Sequence, residues 1–417
     1  MNAIPVTKKI FIGVALLCAG VFVWRLWGGQ ARPVKVGILH SLTGTMAISE
    51  TSVRDATLLA IEELNAAGGV LGRKIEPVVA DGRSDWPTFA REAERLITEE
   101  RVAVVFGCWT SASRKTVKPV FERHNHLLFY PVQYEGLEQS PNIIYTGATP
   151  NQQIIPAVKW SFDHLGKRFF LVGSDYVFPR TANAIIKAQV AALGGSIVGE
   201  EYLRLGNLNA EEITDKIVQA APDVILNTIN GDSNVAFFSA LREAGVSPER
   251  IPTVSFSIAE TELRHMNAAA MAGDYAAWNY FQSVDTPENH RFVAAYRARF
   301  GSDRVTDDPA EAAYVGVYLW AHAVTAAGAF DAPAVLNELR NQSMTAPEGV
   351  VSIDPATLHL WKTVRMGRVR SDGQFEIVWS SENPIPPQPY PPFHSRDEWM
   401  SFLEDLKTGW GGAWARP

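Results

Sequence analysis

Two short passages of the sequence place hydroxyl and aromatic side chains where strands should end. The first follows a buried apolar strand at residues 102–106 and contains Trp109 and Ser111, just before a helix should begin. The second contains Tyr130, at the end of an apolar run over residues 127–130. In an open α/β sheet, ligands bind outside the carboxyl ends of the strands, close to helix N-termini. These passages therefore predict one wall of a small-molecule cleft.

Two side chains in the first passage, Cys108 and Ser111, are also potential nucleophiles. Nucleophilic catalysis needs a base within hydrogen-bond reach, and no His, Lys or acid accompanies either residue in a recognisable pattern. An amidase is therefore disfavoured, and Cys108 is expected to be a small, semi-buried side chain. Cys18 is the other cysteine, so neither a disulfide framework nor a multi-cysteine metal cluster can be built. No cofactor is expected, because no dinucleotide fingerprint or phosphate loop follows a predicted strand.

Length and composition indicate a globular protein with more than one core. A chain of 417 residues exceeds what one hydrophobic core usually serves, so two lobes are expected. Hydrophobic residues make up 47% and charged residues 20%, which is far from the composition of disordered chains. The formal charge of -7 disfavours a nucleic-acid partner, because such proteins concentrate Lys and Arg.

Residues 1–30 have the pattern of a targeting segment. Lys8 and Lys9 precede an apolar run over residues 10–24, and Arg25 follows it. A charged start and a short apolar core are typical of a signal peptide, and the run is shorter than the ~20 residues that span a bilayer. The cleavage signal is poor, so an uncleaved anchor that tethers the protein to the inner membrane is the alternative. Both outcomes place the body of the protein in the periplasm or another extracytoplasmic space.

From residue 34 onward, strand and helix patterns alternate. Apolar runs at residues 34–39 and 75–80 indicate strands, with an amphipathic helix between them. The same rhythm restarts at residues 168–173 and continues to residues 251–256. Alternation with short connectors favours parallel sheets that carry helices on both faces. The sequence therefore predicts two α/β units. A tail with Trp410 and Trp414 follows them, and the sequence does not decide whether it docks on the body of the protein or on a partner.

Six passages resemble the substrate-binding protein of urea ABC transporters, a group that includes short-chain amide sensors and amide-binding proteins. They follow one another in the family's order and cover the chain after the leader. The passages are residues 107–115, 130–136, 147–152, 173–180, 230–234 and 278–287. The resemblance implies an α/β fold of the type I periplasmic binding protein class. In that fold, two doubly wound parallel-sheet lobes enclose a ligand cleft and are joined by crossover strands.

The resemblance also implies how the chain divides between the lobes. The first hinge is expected at residues 149–152, where turn residues interrupt the chain. The expected parts are residues 34–148 with 276–348 for lobe 1, residues 149–275 with 349–395 for lobe 2, and residues 396–417 for the C-terminal tail.

The family's ligand contacts map residue by residue onto five positions of this chain. They are Trp109, Ser111, Tyr130, Val132, which can offer only its backbone, and Tyr176. A sixth candidate is Asp232, a carboxylate in a segment that differs from the amide sensors. An extra carboxylate fits a ligand with two amide groups, although it would suit a cationic ligand equally.

The chemistry of urea explains why these residue types are suitable. Urea is planar and neutral, with one carbonyl acceptor and two NH2 donors, so a buried site must supply both donors and acceptors. Ser111 offers a hydroxyl and an N–H at a helix start, while Trp109 and Tyr130 offer flat faces for stacking. Tyr176 and Asp232 would join from the opposite lobe when the cleft closes.

Structural alternatives exist for the same residues. Trp109 and Tyr130 are also suited to a core, and Asp232 to capping the helix that follows it. Asp175 and Arg180 are expected to fix loop geometry. Glu135 is a weaker site candidate.

The leading interpretation is an extracytoplasmic solute-binding protein that captures urea or a short amide and delivers it to an ABC transporter permease. The alternative is a membrane-anchored or regulatory sensor of the same ligands, without a role in transport. An enzyme is disfavoured for the reasons given above.

Overall fold

The computed structural model describes residues 32–416, and the predicted leader at residues 1–30 lies outside the described residues. The described chain forms two α/β lobes and a small antiparallel sheet. The strands are β1 (Val34–His40), β2 (Ile75–Asp81), β3 (Val105–Gly107), β4 (Leu128–Tyr130), β5 (Ile143–Tyr145), β6 (Arg168–Ser174), β7 (Ser196–Leu203), β8 (Val224–Thr228), β9 (Thr253–Ser255), β10 (Tyr275–Trp278), β11 (Ser343–Ala346), β12 (Gly349–Ile353), β13 (Leu360–Trp361), β14 (Arg365–Val369) and β15 (Phe375–Ser380). The helices are α1 (Ala47–Ala66), α2 (Trp86–Thr98), α3 (Ser111–His124), α4 (Ile154–His164), α5 (Val177–Leu193), α6 (Glu211–Ala220), α7 (Ser233–Glu243), α8 (Glu260–Leu263), α9 (Ala268–Met271), α10 (Pro287–Phe300), α11 (Asp308–Ala327), α12 (Ala332–Leu339) and α13 (Arg396–Gly409).

The first lobe is built on five parallel strands in the order β2-β1-β3-β4-β5. Strands β3, β4 and β5 are buried along their whole length, which accounts for their continuous apolar sequence. Successive side chains of β3 point to opposite faces of the sheet. Phe106 packs against Trp320 of α11, whereas Val105 belongs to the cluster that contains Phe89 of α2 and Phe121 of α3. Helices therefore cover both faces, as the sequence predicts.

The second lobe has seven strands in the order β15-β14-β10-β9-β8-β6-β7. The five strands from β10 to β7 are parallel to their neighbours, while β14 and β15 add an antiparallel edge. Leu171 and Phe170 of β6 lie in two different apolar clusters, one on each face of the sheet. The two doubly wound sheets confirm the predicted α/β architecture.

Two of the predicted lobe boundaries differ from the structure. Strand β10 lies in the seven-stranded sheet, paired with β9 and β14, so the chain leaves the second lobe after Trp278 and not at residue 276. The segment that begins at residue 349 supplies β12 and β13 of the small sheet β11-β12-β13. Its residues Val351 and Leu360 pack into the core of the first lobe, so the return to the second lobe comes near Lys362.

Three crossing segments join the lobes and are tied to one another by buried polar side chains. The Gln152 carbonyl, in the Pro150–Gln152 turn of the first segment, accepts a hydrogen bond from Asn279 Nδ2 at 3.0 Å. The same amide donates to the Thr363 carbonyl at 3.1 Å. Lys362 Nζ donates to the Thr146 carbonyl at 3.0 Å. Since each segment is bonded to the next, the hinge is a single cross-braced unit.

The C-terminal tail docks on the body of the protein and reaches both lobes. Helix α13 starts with a capping box at Ser395 and Glu398, and buries Trp399 in the core of the second lobe. Beyond it, the Trp414 carbonyl accepts from the Val177 N–H at 2.9 Å, while its ring lies 5.0 Å from Lys115 Nζ on the first lobe. The tail, whose docking the sequence left open, therefore straps the two lobes together along one side.

Within residues 32–416, no single helix is both long enough and apolar enough to cross a membrane. Helices α11 and α12, taken as a bent pair, pass that test by length and composition alone.

Candidate functional site

The candidate site lies between the lobes, where the strand order of each sheet reverses. In the first lobe this reversal falls between β1 and β3, and in the second between β6 and β8. Ligands of open α/β sheets bind in the crevice that such a switch point creates. Residues after β3 include Trp109 and Ser111, and Tyr176 closely follows β6. Four of the five positions implied by the resemblance therefore come from the switch points or, with Tyr130, from the adjacent strand β4.

The turn from β3 into α3 has the backbone geometry of a binding loop. Gly107 packs so closely on the Leu39 carbonyl that an added Cβ would lie 2.2 Å from its oxygen. Cys108 has a φ of 67°, the left-handed region that a side chain rarely adopts, and such strain is common at binding sites. The Thr110 side chain caps α3 by accepting from the Ser113 N–H. Among the described residues, the N–H of Ser111 has no partner, so this helix start can receive a ligand carbonyl.

Trp109, Ser111 and Tyr130 form one wall and are held by hydrogen bonds within the protein. All three are buried. The Tyr130 hydroxyl donates to the Trp109 carbonyl at 2.6 Å, and the Ser111 hydroxyl donates to Glu135. Trp109 Nε1 crosses the cleft and donates to Asn230 Oδ1 at 3.3 Å. The lobes are therefore closed on each other at this wall.

Tyr176 reaches the same place from the second lobe. Its buried ring lies 6.5 Å from that of Trp86, across the lobe boundary. Burial raises the pKa of Tyr176 well above its usual value, and the nearby Tyr130 and Glu135 add to the effect. Its hydroxyl therefore stays protonated, and it has no hydrogen-bond partner among the described residues, so it is available to a ligand.

Val132 and Asp232 are both held by contacts within the protein. Val132 is part of the first lobe's core, and its carbonyl packs against Gly147. Asp232 is half-buried and accepts a hydrogen bond from the Thr45 hydroxyl of the opposite lobe. It occupies the N-cap position of α7 but makes no side-chain cap bond, so the capping alternative is wrong. Asp232 instead joins the lobes beside the cleft.

Sequence reasoning missed a buried charge network behind the first wall. Arg114, fully buried, donates from Nε to Glu138 Oε1 at 2.8 Å and lies 3.4 Å from Glu135. Its guanidinium also stacks on Tyr130 at 4.6 Å. Lys115 Nζ pairs with Glu138 at 2.9 Å. Two cations therefore face two carboxylates, and the network carries no net charge.

The sequence does hold a signal for this network. Arg114 and Lys115 lie three and four residues after Ser111, and Glu135 and Glu138 lie three residues apart shortly after Tyr130. Glu135, expected to be a weak site candidate, is the partner of Ser111. Asp175 pairs with Arg180 at 2.8 Å, so both fix loop geometry as predicted.

A second missed feature stands at the other side of the switch point. Glu50, in the first turn of α1, is only 1% exposed. Its Oε2 accepts from the Ser41 N–H at 2.8 Å and from His40 Nδ1 at 3.1 Å. Neither residue is conspicuous in the sequence, because His40 ends an apolar strand and Glu50 stands between two other polar residues, Ser49 and Thr51.

The site is poorly suited to nucleophilic catalysis. Burial, together with the charge of Glu50, raises the pKa of Cys108 far above its usual value, so the thiol stays protonated. Ser111 donates to a carboxylate that also faces Arg114, and within the described residues it contacts no histidine. The arrangement can bind a polar ligand but lacks an activated nucleophile.

Comparison with known proteins places this architecture in a family. The profile of the family described as "Periplasmic binding protein domain" matches residues 34–396. The chain belongs to this family. Its members are binding proteins, so the expectation that the chain is not an enzyme agrees with its membership.

Individual relatives support the fold of this periplasmic binding protein. "Leu/Ile/Val-binding protein homolog 6" of Brucella melitensis biotype 1 is 24% identical over 85% of this chain and 92% of its own length. A solute-binding protein of an ABC transporter from Rhodopseudomonas palustris BisB5, solved with 3,4-dihydroxybenzoic acid, superposes with a TM-score of 0.78. It is 23% identical, over 85% of this chain and 98% of that chain. The predicted type I periplasmic binding fold is thereby confirmed.

A shorter match has a different name. "Limonene hydroxylase" of Geobacillus stearothermophilus is 39% identical over 124 residues, which are 30% of this chain. The chain spans 23% of that protein's length, so this match says nothing about most of either protein.

Proposed function

We propose that this chain is an extracytoplasmic solute-binding protein that captures urea or a short-chain amide between its lobes and delivers it to the permease of an ABC transporter. The observation that carries the proposal is the closure of the lobes at the two switch points, where Trp109 Nε1 of one lobe donates to Asn230 of the other and Tyr176 lies beside Trp86 across the lobe boundary. A transport role rather than a sensor role is supported by the relatives, whose names describe binding proteins and a transporter component.

The relatives define the competing ligands. The Brucella protein is named for branched-chain amino acids, and the Rhodopseudomonas protein was solved with an aromatic acid. Both classes carry a carboxylate, which when buried needs a cation or several free donors. In this chain, the cations behind the wall are already paired, Arg114 with Glu138 and Lys115 with the same carboxylate. Paired charges support a neutral ligand such as urea or an amide.

Calorimetry on the purified protein tests the ligand class. We expect tight binding of urea and weaker binding of acetamide and formamide, with no heat from leucine or 3,4-dihydroxybenzoate. Binding of either acid without binding of urea or an amide would overturn the ligand assignment while leaving the solute-binding role in place. Release of ammonia during incubation with urea would contradict the binding function itself.

Uptake measurements test the transport role. Cells that lack the gene for this chain should lose saturable uptake of labelled urea and recover it when the gene is restored. Normal uptake in the deletion strain, together with tight urea binding by the protein, would favour the sensor.

A further inference from the structure

A bound urea or amide brings N–H groups into the cleft, and each buried N–H needs an acceptor. Three polar groups of the predicted site act as donors inside the protein: those of Ser111, Tyr130 and Trp109. Asp232, the carboxylate that sequence reasoning assigned to the ligand, accepts from Thr45 at the lobe boundary. Among the predicted residues, Asp232 is therefore the one carboxylate acceptor, and it is half-buried and already bonded across the lobes.

Glu50 is a second carboxylate near the lobe boundary and is far more buried than Asp232. It is 1% exposed, and both hydrogen bonds that it accepts fall on one oxygen, Oε2. These bonds come from the Ser41 N–H and from His40, so they fix the plane and direction of the carboxylate. Among the described residues, Oε1 has no hydrogen-bond partner. In a side chain this enclosed, the remaining oxygen is available to a ligand or a water molecule.

The position of Glu50 places its side chain close to the boundary between the lobes. Helix α1 is the next element after β1, one of the two strands at the first lobe's switch point. Residues next to Glu50 already touch the second lobe, since the Ser49 hydroxyl donates to Glu262 at 2.6 Å and Thr45 donates to Asp232. Burial is the main cause of the raised pKa of Tyr176, and the charge of Glu50 adds to it, as expected of groups that share one space.

We propose that Glu50 is the ligand-facing carboxylate of the cleft, accepting an N–H of the bound ligand through Oε1, and that it selects primary amides over carboxylates of the same shape. This inference rests on the proposed function. Ser41 and His40 act as positioning residues, because they hold Oε2 and so direct Oε1 toward the ligand. A carboxylate ligand would bring an oxygen where the amide has its NH2 group and would meet Glu50 with like charge.

The unmodified protein offers the first test, because acetamide and acetate have nearly the same shape. Acetamide should bind, while acetate should give no heat at concentrations that saturate the protein with acetamide. Equal affinity for the two would overturn the inference, since a fixed carboxylate at that position cannot accept both equally.

Glu50→Gln gives the second test. The glutamine oxygen must replace Oε2 to accept the Ser41 N–H, so its NH2 group takes the place of Oε1 and opposes the ligand N–H. Loss of a hydrogen bond to a charged group weakens binding by about tenfold to a hundredfold, so urea affinity should fall by that factor. The difference in affinity between acetamide and acetate should become smaller in the same variant.

Controls separate this role from a structural one. Glu62→Gln makes the same chemical change on the exposed part of the same helix, where Glu62 pairs with Arg299, and should leave affinity unchanged. If Glu50 only supported the fold, Glu50→Gln would weaken all ligands alike and leave the gap between acetamide and acetate intact. If the Glu50→Gln variant does not fold, the comparison of acetamide binding with acetate binding on the unmodified protein still tests the inference.

The outcomes distinguish this inference from the proposed function. An unmodified protein that binds none of urea, acetamide and formamide would overturn both. One that binds them with the same affinity after Glu50→Gln would overturn the assignment of Glu50 alone.

Discussion

Replacement of Arg114 by alanine should destabilise the protein strongly, even without ligand. The fully buried guanidinium bonds Glu138 at 2.8 Å, faces Glu135 at 3.4 Å and stacks on two tyrosines, Tyr130 at 4.6 Å and Tyr134 at 4.4 Å. Removal of one partner of a buried ion pair costs about 3–5 kcal/mol, because the other charge remains buried. A desolvated cation–π contact is worth roughly 2 kcal/mol more.

These effects overlap, and Lys115 still neutralises part of Glu138, so the expected loss is about 4 kcal/mol in the free energy of unfolding. At roughly 2–4 °C per kcal/mol for large domains, the melting temperature should fall by about 10 °C. The assay is thermal unfolding followed by circular dichroism, with guanidinium chloride as the chemical denaturant. Urea is unsuitable as the denaturant because it is the proposed ligand and would stabilise the folded state by binding.

A matched control lies on the same helix. Arg123 pairs with Glu94 at the surface, where its side chain is 56% exposed, so Arg123→Ala should change stability by less than about 1 kcal/mol. An Arg114→Ala variant as stable as the Arg123→Ala variant would refute the account of a buried, internally neutralised network. It would also reopen the site to carboxylate ligands, since the argument for a neutral ligand depends on these paired charges.

Three further predictions concern the cleft, the lobe contact and pH. Tyr176→Phe should reduce ligand affinity about fivefold in calorimetry, the worth of one ~1 kcal/mol hydrogen bond, while the ligand-free melting temperature is unchanged; a large drop in that temperature would make Tyr176 structural. Thr45→Val removes the donor to Asp232 without touching the ligand, so affinity should fall because closure is less favourable, and unchanged affinity would mean that this bond does not hold the lobes closed. His359 is fully buried, and burial lowers its pKa to about 3. As the pH falls below about 6.5, this histidine is protonated in the unfolded chain before it is protonated in the folded protein. The free energy of unfolding should therefore decrease between about pH 6.5 and pH 3, by up to ~1.4 kcal/mol per pH unit. His359→Gln should flatten this dependence in melting curves, whereas the same change at exposed His290 should leave it intact.

Secondary structure was accessible from the sequence because local patterns decide it. The amphipathic spacing between the first two predicted strands predicted the helix observed as α1, and Ser111 was correctly expected at the start of α3. The strand expected at residues 102–106 is shorter and begins at Val105, although the backbones of Ala103 and Val104 also bond to Lys35 and Gly37 of β1. The ends of such strands depend on their pairing with other strands, which cannot be read from one segment of the sequence.

Long-range pairings explain the remaining differences. Strand β10 was assigned to the wrong lobe since nothing local distinguishes a strand that ends one lobe from one that begins the next. Asp232 has the residue type of a helix cap or a ligand contact, but its partner, Thr45, is 187 positions away. The C-terminal tail is similar, because Trp414 finds its partners Lys115 and Val177 only in the folded chain.

Charge placement connects the missed residues to the choice of ligand. Composition reports the number of acids and bases but not which of them neutralise one another. In the fold, Arg114 and Lys115 are balanced by Glu135 and Glu138, whereas Glu50 keeps one oxygen without a protein partner among the described residues. A cleft with paired cations and one open carboxylate repels acids and favours a neutral donor of N–H groups. If that balance decides specificity, exchanging Glu50 for glutamine should move the preference toward acids more than any change at Asp232 does.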